Sequence, residues 1–161
     1  GRGWRHVVPS PKPRHVCDIS LVQVLARRGT VVIAGGGGGI PVIRKQKGVR
    51  QGVRAVIDKD LTSAHMANVL GIPTLMILTS VPKVSINFGT QDQEDLDNVS
   101  LRDLKKFHKE GQFPPGSMGP KIDATIRFLE GGGEKVIIAK LEEPIAALRG
   151  ETGTHISVDC D

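Results

Sequence analysis

Residues 31–41 read VVIAGGGGGIP and place a short apolar run directly before five consecutive glycines. A β-branched run of this kind predicts a buried strand, and glycines leave backbone N–H groups open to the close approach of an anion. We therefore predict a strand at residues 31–34 and a phosphate- or carboxylate-binding loop formed by Gly35, Gly36, Gly37, Gly38 and Gly39. A flexible turn between a strand and a hairpin is the alternative, because glycine is common in turns of every kind.

The composition limits the class of protein. With 161 residues, of which 39% are hydrophobic and 24% charged, the chain suits one soluble domain over residues 1–161, and no apolar run approaches the ~20 residues that cross a bilayer. Cys17 and Cys160 form no C-x-x-C motif, which favours a reducing cytoplasm. The net charge of +5 would suit nucleic acid, but 3% aromatic residues and scattered basic residues favour a small anionic ligand instead.

Segments with strand character alternate with helical segments along the rest of the chain. A helix capped by Asp18 and a polar hairpin after Pro41 flank the glycine run, and a helix capped by Asp58 follows. Then come a strand at 74–79 buried on both faces, a long irregular connection, a helix with a Ser100 capping box, a helix at Pro120, a strand at 136–139, a short helix at 144–148 and a strand at 154–158. This order predicts an α/β fold with an open, mainly parallel sheet covered on both faces.

Two lysines stand at predicted helix starts, where the helix dipole disfavours a cation. Lys59 lies between Asp58 and Asp60, and Lys121 follows Pro120. Each mismatch costs ~0.3–1 kcal/mol unless an anion lies nearby, so a shared anionic ligand is predicted, as phosphoryl transfer requires. The alternatives are that both lysines point into solvent and that the aspartates are only helix caps. The five histidines show no metal-ligand spacing, so no protein metal site is predicted.

Several motifs, in order along nearly the whole chain, resemble the carbamate kinases of the amino acid kinase family. They read WRHVVPSP, AGGGGGIPV, AVIDKD, LTSVPKVSINFG and FPPGSMGPK. The resemblance implies a three-layer αβα sandwich and reversible phosphoryl transfer between ATP and carbamate, with ADP and carbamoyl phosphate as the physiological starting pair. It also implies ATP or ADP with Mg²⁺ as cofactor, a cytoplasmic location, and a homodimer for the full-length enzyme.

The resemblance also assigns roles to positions of this sequence. It implies that Lys59 and Lys121 bind and neutralise the transferring phosphate, that Asp60 organises these lysines, and that Asp58 belongs to the same catalytic motif. It places the five glycines and Ser10 at the phosphate and the acceptor. The nucleotide pocket would be formed by Thr79, Ser80, Val81, Val84, Phe88, Ser117, Met118, Gly119 and Pro120.

Two features depart from the family pattern. Where the family usually reads T-x-V-D, Pro82 follows Val81 here and removes both a carboxylate and a backbone donor. The family's chain is also markedly longer, so the resemblance implies that this chain corresponds to its C-terminal, nucleotide-binding half. Two further hypotheses stay open: a non-catalytic nucleotide-binding or regulatory module of the same fold, and a sibling kinase that acts on another carboxylate or phosphate acceptor.

Overall fold

A computed structural model describes residue 4 and residues 7–159; the expectation for Cys160 lies outside these residues. The first described elements are helix α1 (Ile19–Arg27) and a hairpin of strands β1 (Val42–Arg44) and β2 (Arg50–Gly52). The hairpin predicted after Pro41 is therefore confirmed. Asp18 precedes α1 as predicted, but it has a left-handed backbone (φ 60°) and its side chain makes no capping hydrogen bond.

Helices and strands then alternate around a central sheet. Along the chain they are α2 (Lys59–Leu70), β3 (Thr74–Thr79), β4 (Val84–Ile86), β5 (Glu94–Leu96), β6 (Asn98–Ser100), α3 (Leu101–Lys109), α4 (Met118–Glu130), β7 (Lys135–Lys140), α5 (Pro144–Leu148) and β8 (Thr154–Ser157). The sheet has the strand order β3-β7-β8-β6. Its β3/β7 and β6/β8 pairs are parallel and its β7/β8 pair is antiparallel. The predicted α/β fold is confirmed, with a mixed and mostly parallel sheet.

The main core lies between one face of this sheet and helices α2, α3 and α4. Phe128, Leu104, Ile122, Ile138 and Ile156 are fully buried in it. A smaller cluster of Ile137, Ala139 and Ala147 packs α5 against the opposite face. The main core thus holds α2 and α4 side by side, and it fixes the position of the first turn of one helix relative to that of the other. None of the described helices is long and apolar enough to cross a membrane.

Three predictions about strands were wrong. Residues 31–34 form no strand, because a strand needs a hydrogen-bonded neighbour and none of the described residues supplies one. Strand β3 is at the edge of the described sheet, and only Ile77 in it is buried, so it is not covered on both faces. The connection after Thr79, predicted to be irregular, contains the antiparallel pair β4 and β5 and then β6.

The capping box at α3 is confirmed and offers a test of local stability. The Ser100 hydroxyl oxygen accepts a hydrogen bond from the Asp103 backbone N–H at 3.0 Å, and the hydroxyl donates to the Asp103 carboxylate at 2.7 Å. We expect Ser100→Ala to lower the free energy of unfolding by about 1 kcal/mol, because a helix N–H loses its acceptor. Urea denaturation measures the change. Ser63→Ala, which removes an exposed mid-helix hydroxyl, is the control and should change it far less.

Candidate active site

The glycine loop is held against the start of α2. Gly35, Gly36, Gly38 and Gly39 all have positive φ angles, a conformation that favours glycine. Gly38 is buried, and a Cβ at this position would lie 1.9 Å from the Ile57 carbonyl oxygen. The Thr62 hydroxyl donates to the Gly38 carbonyl oxygen at 2.9 Å. The loop therefore lies against the start of α2 at Gly38, where only glycine fits.

Asp58 is the N-cap residue of α2. Its Oδ1 accepts hydrogen bonds from the backbone N–H groups of Asp60 at 2.8 Å and Leu61 at 3.0 Å. The Val56 N–H donates to the Pro9 carbonyl oxygen at 3.0 Å, which brings the exposed Ser10 close to this approach. The structure thus supports the capping alternative for Asp58, and a catalytic role for it stays a prediction.

Asp60 brings two lysines together from two different helices. This residue is only 7% exposed, and its Oδ2 lies 3.0 Å from Lys121 Nζ and 3.4 Å from Lys59 Nζ. The Lys121 side chain is 12% exposed, whereas that of Lys59 is 57% exposed. We call Lys59, Asp60 and Lys121 the lysine pair with its aspartate. Because two cations share one carboxylate, the group keeps one positive charge in excess.

The lysine pair lies at the positive ends of two helix dipoles. Lys59 opens α2 and Lys121 is in the first turn of α4, so backbone N–H groups and lysine ammonium groups have the same sign there. The first turn of α4 is also tightly built, because a Cβ on Gly119 would lie 3.0 Å from the Pro114 carbonyl oxygen. Asp60 offsets part of this positive charge. An anionic ligand with several oxygens would offset the rest.

The residues expected at the nucleotide are divided between the loop after β3 and the start of α4. Val84 is fully buried, and its N–H donates to the Thr154 hydroxyl oxygen at 2.8 Å. Phe88 is 63% exposed, and Ser80 is exposed as well. On α4, Ser117 is exposed without a capping hydrogen bond, whereas Met118 is half-buried against the core. Thr79, Val81, Gly119 and Pro120 are buried or half-buried between these positions.

A charged pair borders this loop. Lys83, directly before β4, donates a hydrogen bond to the carboxylate of Asp97, directly after β5. That carboxylate raises the pKa of Lys83. Pro82 is exposed beside it. The carboxylate that the family pattern places at position 82 is thus absent, and the cation next to it is engaged with Asp97.

A cavity of about 320 Å³ lies away from the lysine pair. It is lined at the C-terminal ends of α2 and α4 by Asn68, Arg127, Glu130 and Gly131, with Lys12, Pro13, Leu61 and His65 around them. The negative ends of both helix dipoles meet there, which disfavours an anion. The basic side chains in its wall, Lys12 and Arg127, have the charge that these helix ends favour.

Sequence reasoning missed two threonines that build the site. Thr62 fastens the glycine loop to α2, and the Thr154 hydroxyl donates to the Leu96 carbonyl oxygen at 2.5 Å while it accepts from the Val84 N–H. The only sequence signal for Thr62 was its place in the first turn of a helix that follows a glycine run. Nothing in the sequence marked Thr154, because its partners lie 58 and 70 residues away.

Known proteins resemble this chain in sequence and in fold. The family model described as the amino acid kinase family matches residues 3–140. The chain is 51% identical to the carbamate kinase-like protein YahI of Escherichia coli and 47% identical to the carbamate kinase of Thermococcus kodakarensis, covering 97% of this chain and 49% of each relative. The structure of the Giardia lamblia carbamate kinase bound to AMP-PNP is 42% identical, with a TM-score of 0.93 over 99% of this chain and 50% of that one.

The chain therefore spans about half the length of the relatives it matches. Within that half, the fold agrees with that of the Giardia lamblia carbamate kinase over 99% of this chain. The match of the family model over residues 3–140 and the identities of 51% and 47% over 97% of this chain lead to one conclusion. This chain belongs to the amino acid kinase family.

Proposed function

We propose that this chain is the C-terminal, nucleotide-binding half of a carbamate kinase, which transfers a phosphoryl group reversibly between ATP and carbamate. The observation that carries the proposal is the lysine pair with its aspartate at two helix N-termini beside a glycine loop. The identity of 47% to a carbamate kinase supports the choice of carbamate as acceptor. The Giardia lamblia carbamate kinase binds AMP-PNP, an analogue of ATP, which supports the choice of nucleotide.

The proposed reaction runs from carbamoyl phosphate and ADP to carbamate and ATP. The bond between phosphorus and the carbamate oxygen breaks, and a bond from phosphorus to a β-phosphate oxygen of ADP forms. The transferring group carries its charge on three oxygens, so the chain's task is to place positive charge around it. Lys121 and Lys59 supply that charge, and Asp60 keeps both ammonium groups in place through the transfer.

The remaining assignments follow the resemblance to the carbamate kinases. Gly35, Gly36, Gly37, Gly38 and Gly39 present backbone to the phosphate and the acceptor, and Ser10 lies on the segment next to them. The segment after β3, with Val81 and Phe88, and the start of α4 with Met118 hold the nucleotide. Val84, whose side chain is fully buried, supports this segment from the core. Mg²⁺ would enter on the nucleotide phosphates, because it keeps several waters and needs few protein ligands. We place the enzyme in the cytoplasm as a homodimer.

ATP formation tests the proposal. The complementary half, defined as the part of the Thermococcus kodakarensis carbamate kinase that this chain does not match, is co-expressed with this chain. We expect ATP to form from ADP, Mg²⁺ and carbamoyl phosphate, whereas the complementary half alone should give none. Calorimetric titration of this chain with MgADP is the second measurement. Binding without ATP formation would assign a nucleotide-binding module instead, and absence of both would contradict the proposal.

A further inference from the structure

Asn87, in the turn after β4, is held through its backbone and its side chain together. Its backbone is left-handed, with a φ angle of 51°. The Asn87 N–H donates to Gln112 Oε1 at 2.8 Å, and the Asn87 Oδ1 accepts from Gln112 Nε2 at 3.3 Å. The Asn87 Nδ2 donates to the Asp92 carbonyl oxygen at 3.2 Å, and the Asn87 carbonyl oxygen accepts from the Thr90 N–H at 3.1 Å. These contacts fix the backbone of the turn at Asn87.

Phe88, the next residue, exposes an aromatic side chain on this turn. It is 63% exposed, whereas Phe107, Phe113 and Phe128 are buried or half-buried. An exposed phenylalanine forgoes the free energy of burial, and its flat face suits a flat partner such as a nucleobase. Because Asn87 fixes the backbone immediately before Phe88, the ring has a restricted range of positions.

The backbone of Gln112 is itself fixed at the end of α3. Gly111 has a φ angle of 78°, and its N–H donates to the His108 carbonyl oxygen at 3.1 Å. The Gln112 N–H donates to the Phe107 carbonyl oxygen at 3.1 Å, which completes the hydrogen-bond pattern of a Schellman motif. Phe113, the following residue, is buried and stacks on His108 with 6.2 Å between the ring centroids. Gln112 thus holds Asn87 from a rigid base.

Gln112 lies in the connection that leads to the start of α4. Farther along it, the Pro114 carbonyl oxygen accepts hydrogen bonds from the Ser117 N–H at 3.3 Å and the Gly119 N–H at 2.8 Å. The Gln112 side chain therefore joins this connection to the turn that carries Phe88.

These are the two segments to which the proposed function assigns the nucleotide, and the inference rests on that function. We propose that Gln112 is a positioning residue for the nucleotide. Its amide holds Asn87, and through it Phe88, in place before the nucleotide arrives. Gln112 thereby raises the affinity for ADP and takes no part in the transfer of the phosphoryl group.

Steady-state kinetics of ATP formation by this chain with its complementary half test the role of Gln112. Gln112→Met keeps the length of the side chain and removes both hydrogen bonds to Asn87. We expect the KM for ADP to rise about 10-fold, because only a fraction of the molecules then has the turn in the binding position. The kcat at saturating ADP should stay within about twofold, since bound nucleotide restores the turn and the transferring group is not contacted.

Gln93→Met is the matched control, because Gln93 supports the same turn without joining it to α3. Its Oε1 accepts from the Gly89 N–H at 3.0 Å, and its Nε2 donates to the Asp95 carboxylate at 3.4 Å, both within the hairpin of β4 and β5. The KM for ADP should stay within about twofold in this variant. In Gln112→Met, hydrogen exchange should show faster exchange of the Asn87 amide, while circular dichroism should show an intact fold.

The outcomes separate this inference from the proposed function. An unchanged KM for ADP in Gln112→Met, a loss in kcat alone, or an equal rise in KM in Gln93→Met would each overturn the role of Gln112 while ATP formation still supports the kinase. Absence of ATP formation by the unsubstituted chain with its complementary half would contradict the proposed function, and the role of Gln112 with it.

Discussion

Replacing Lys121 with alanine is expected to lower the rate of ATP formation by this chain with its complementary half at least ~100-fold, the effect of removing one preorganised donor at a transferring group. Lys121 is the more deeply buried lysine of the pair, with 12% of its side chain exposed, and it makes the shorter contact to Asp60. Its ammonium group is therefore already fixed before substrate binds. We expect the loss in kcat rather than in KM for ADP, since the charge acts on the transferring phosphoryl group.

The control for this change is another lysine on the same layer of helices. Lys105 on α3 pairs with Glu130, and its side chain is 45% exposed. Lys105→Ala therefore removes an ion pair and a positive charge that lie outside the first turns of α2 and α4. Its rate should stay within about twofold of the unsubstituted chain, because exposed ion pairs contribute little. Equal losses in Lys105→Ala and Lys121→Ala would show that net charge matters and that the lysine pair is not the phosphate site.

Gly38→Ala is expected to destabilise the protein by at least ~2 kcal/mol, because two independent costs fall on this one residue. The φ angle of +127° is one that residues with a side chain rarely adopt, and the new Cβ would lie 1.9 Å from the Ile57 carbonyl oxygen. The clash is with backbone, which cannot rotate away as a side chain can. The loop must therefore leave α2 and lose the hydrogen bond from Thr62.

The neighbouring glycine supplies a matched control. Gly37 has no positive φ angle, and a Cβ built there meets nothing within 4 Å. Gly37→Ala should change the free energy of unfolding by less than about 0.5 kcal/mol, the range for surface substitutions without a specific contact. Urea denaturation of both variants measures the difference. Similar stability of Gly38→Ala and Gly37→Ala would mean that the loop does not rest on α2 in solution.

Local signals in the sequence predicted the features that depend on a few neighbouring residues. Asp58 caps α2 and Ser100 caps α3 as predicted, because a cap is formed by side chains within three residues of the helix start. Gly71 ends α2 with a left-handed backbone, a conformation that favours glycine at the end of a helix. The hairpin after Pro41 is likewise a local structure.

Features that depend on distant partners were predicted poorly. The apolar run at residues 31–34 has strand composition, but a strand forms only where another strand lies beside it, and composition does not report the neighbour. The short strands β4 and β5 escaped notice because polar residues dominate their segment. The contact between Asp60 and Lys121 joins residues 61 positions apart. Sequence alone indicated only that both lysines stand at helix starts, and the packing of α2 on α4 makes the contact.

The Thr62 hydroxyl also determines which parts of the site can move independently. It has one proton, and it lies 2.9 Å from the Gly38 carbonyl oxygen and 3.1 Å from that of Asp58. A single side chain thus ties the loop and the helix start into one body, so a displacement of Gly38 carries the turn containing Lys59 and Asp60 with it. Gly36, Gly37 and Gly39 make no such contact, since a Cβ built on any of them meets nothing within 4 Å. The Thr62 hydroxyl therefore links the loop to α2 at Gly38, and Gly37 and Gly39 on either side of that link have room for a side chain.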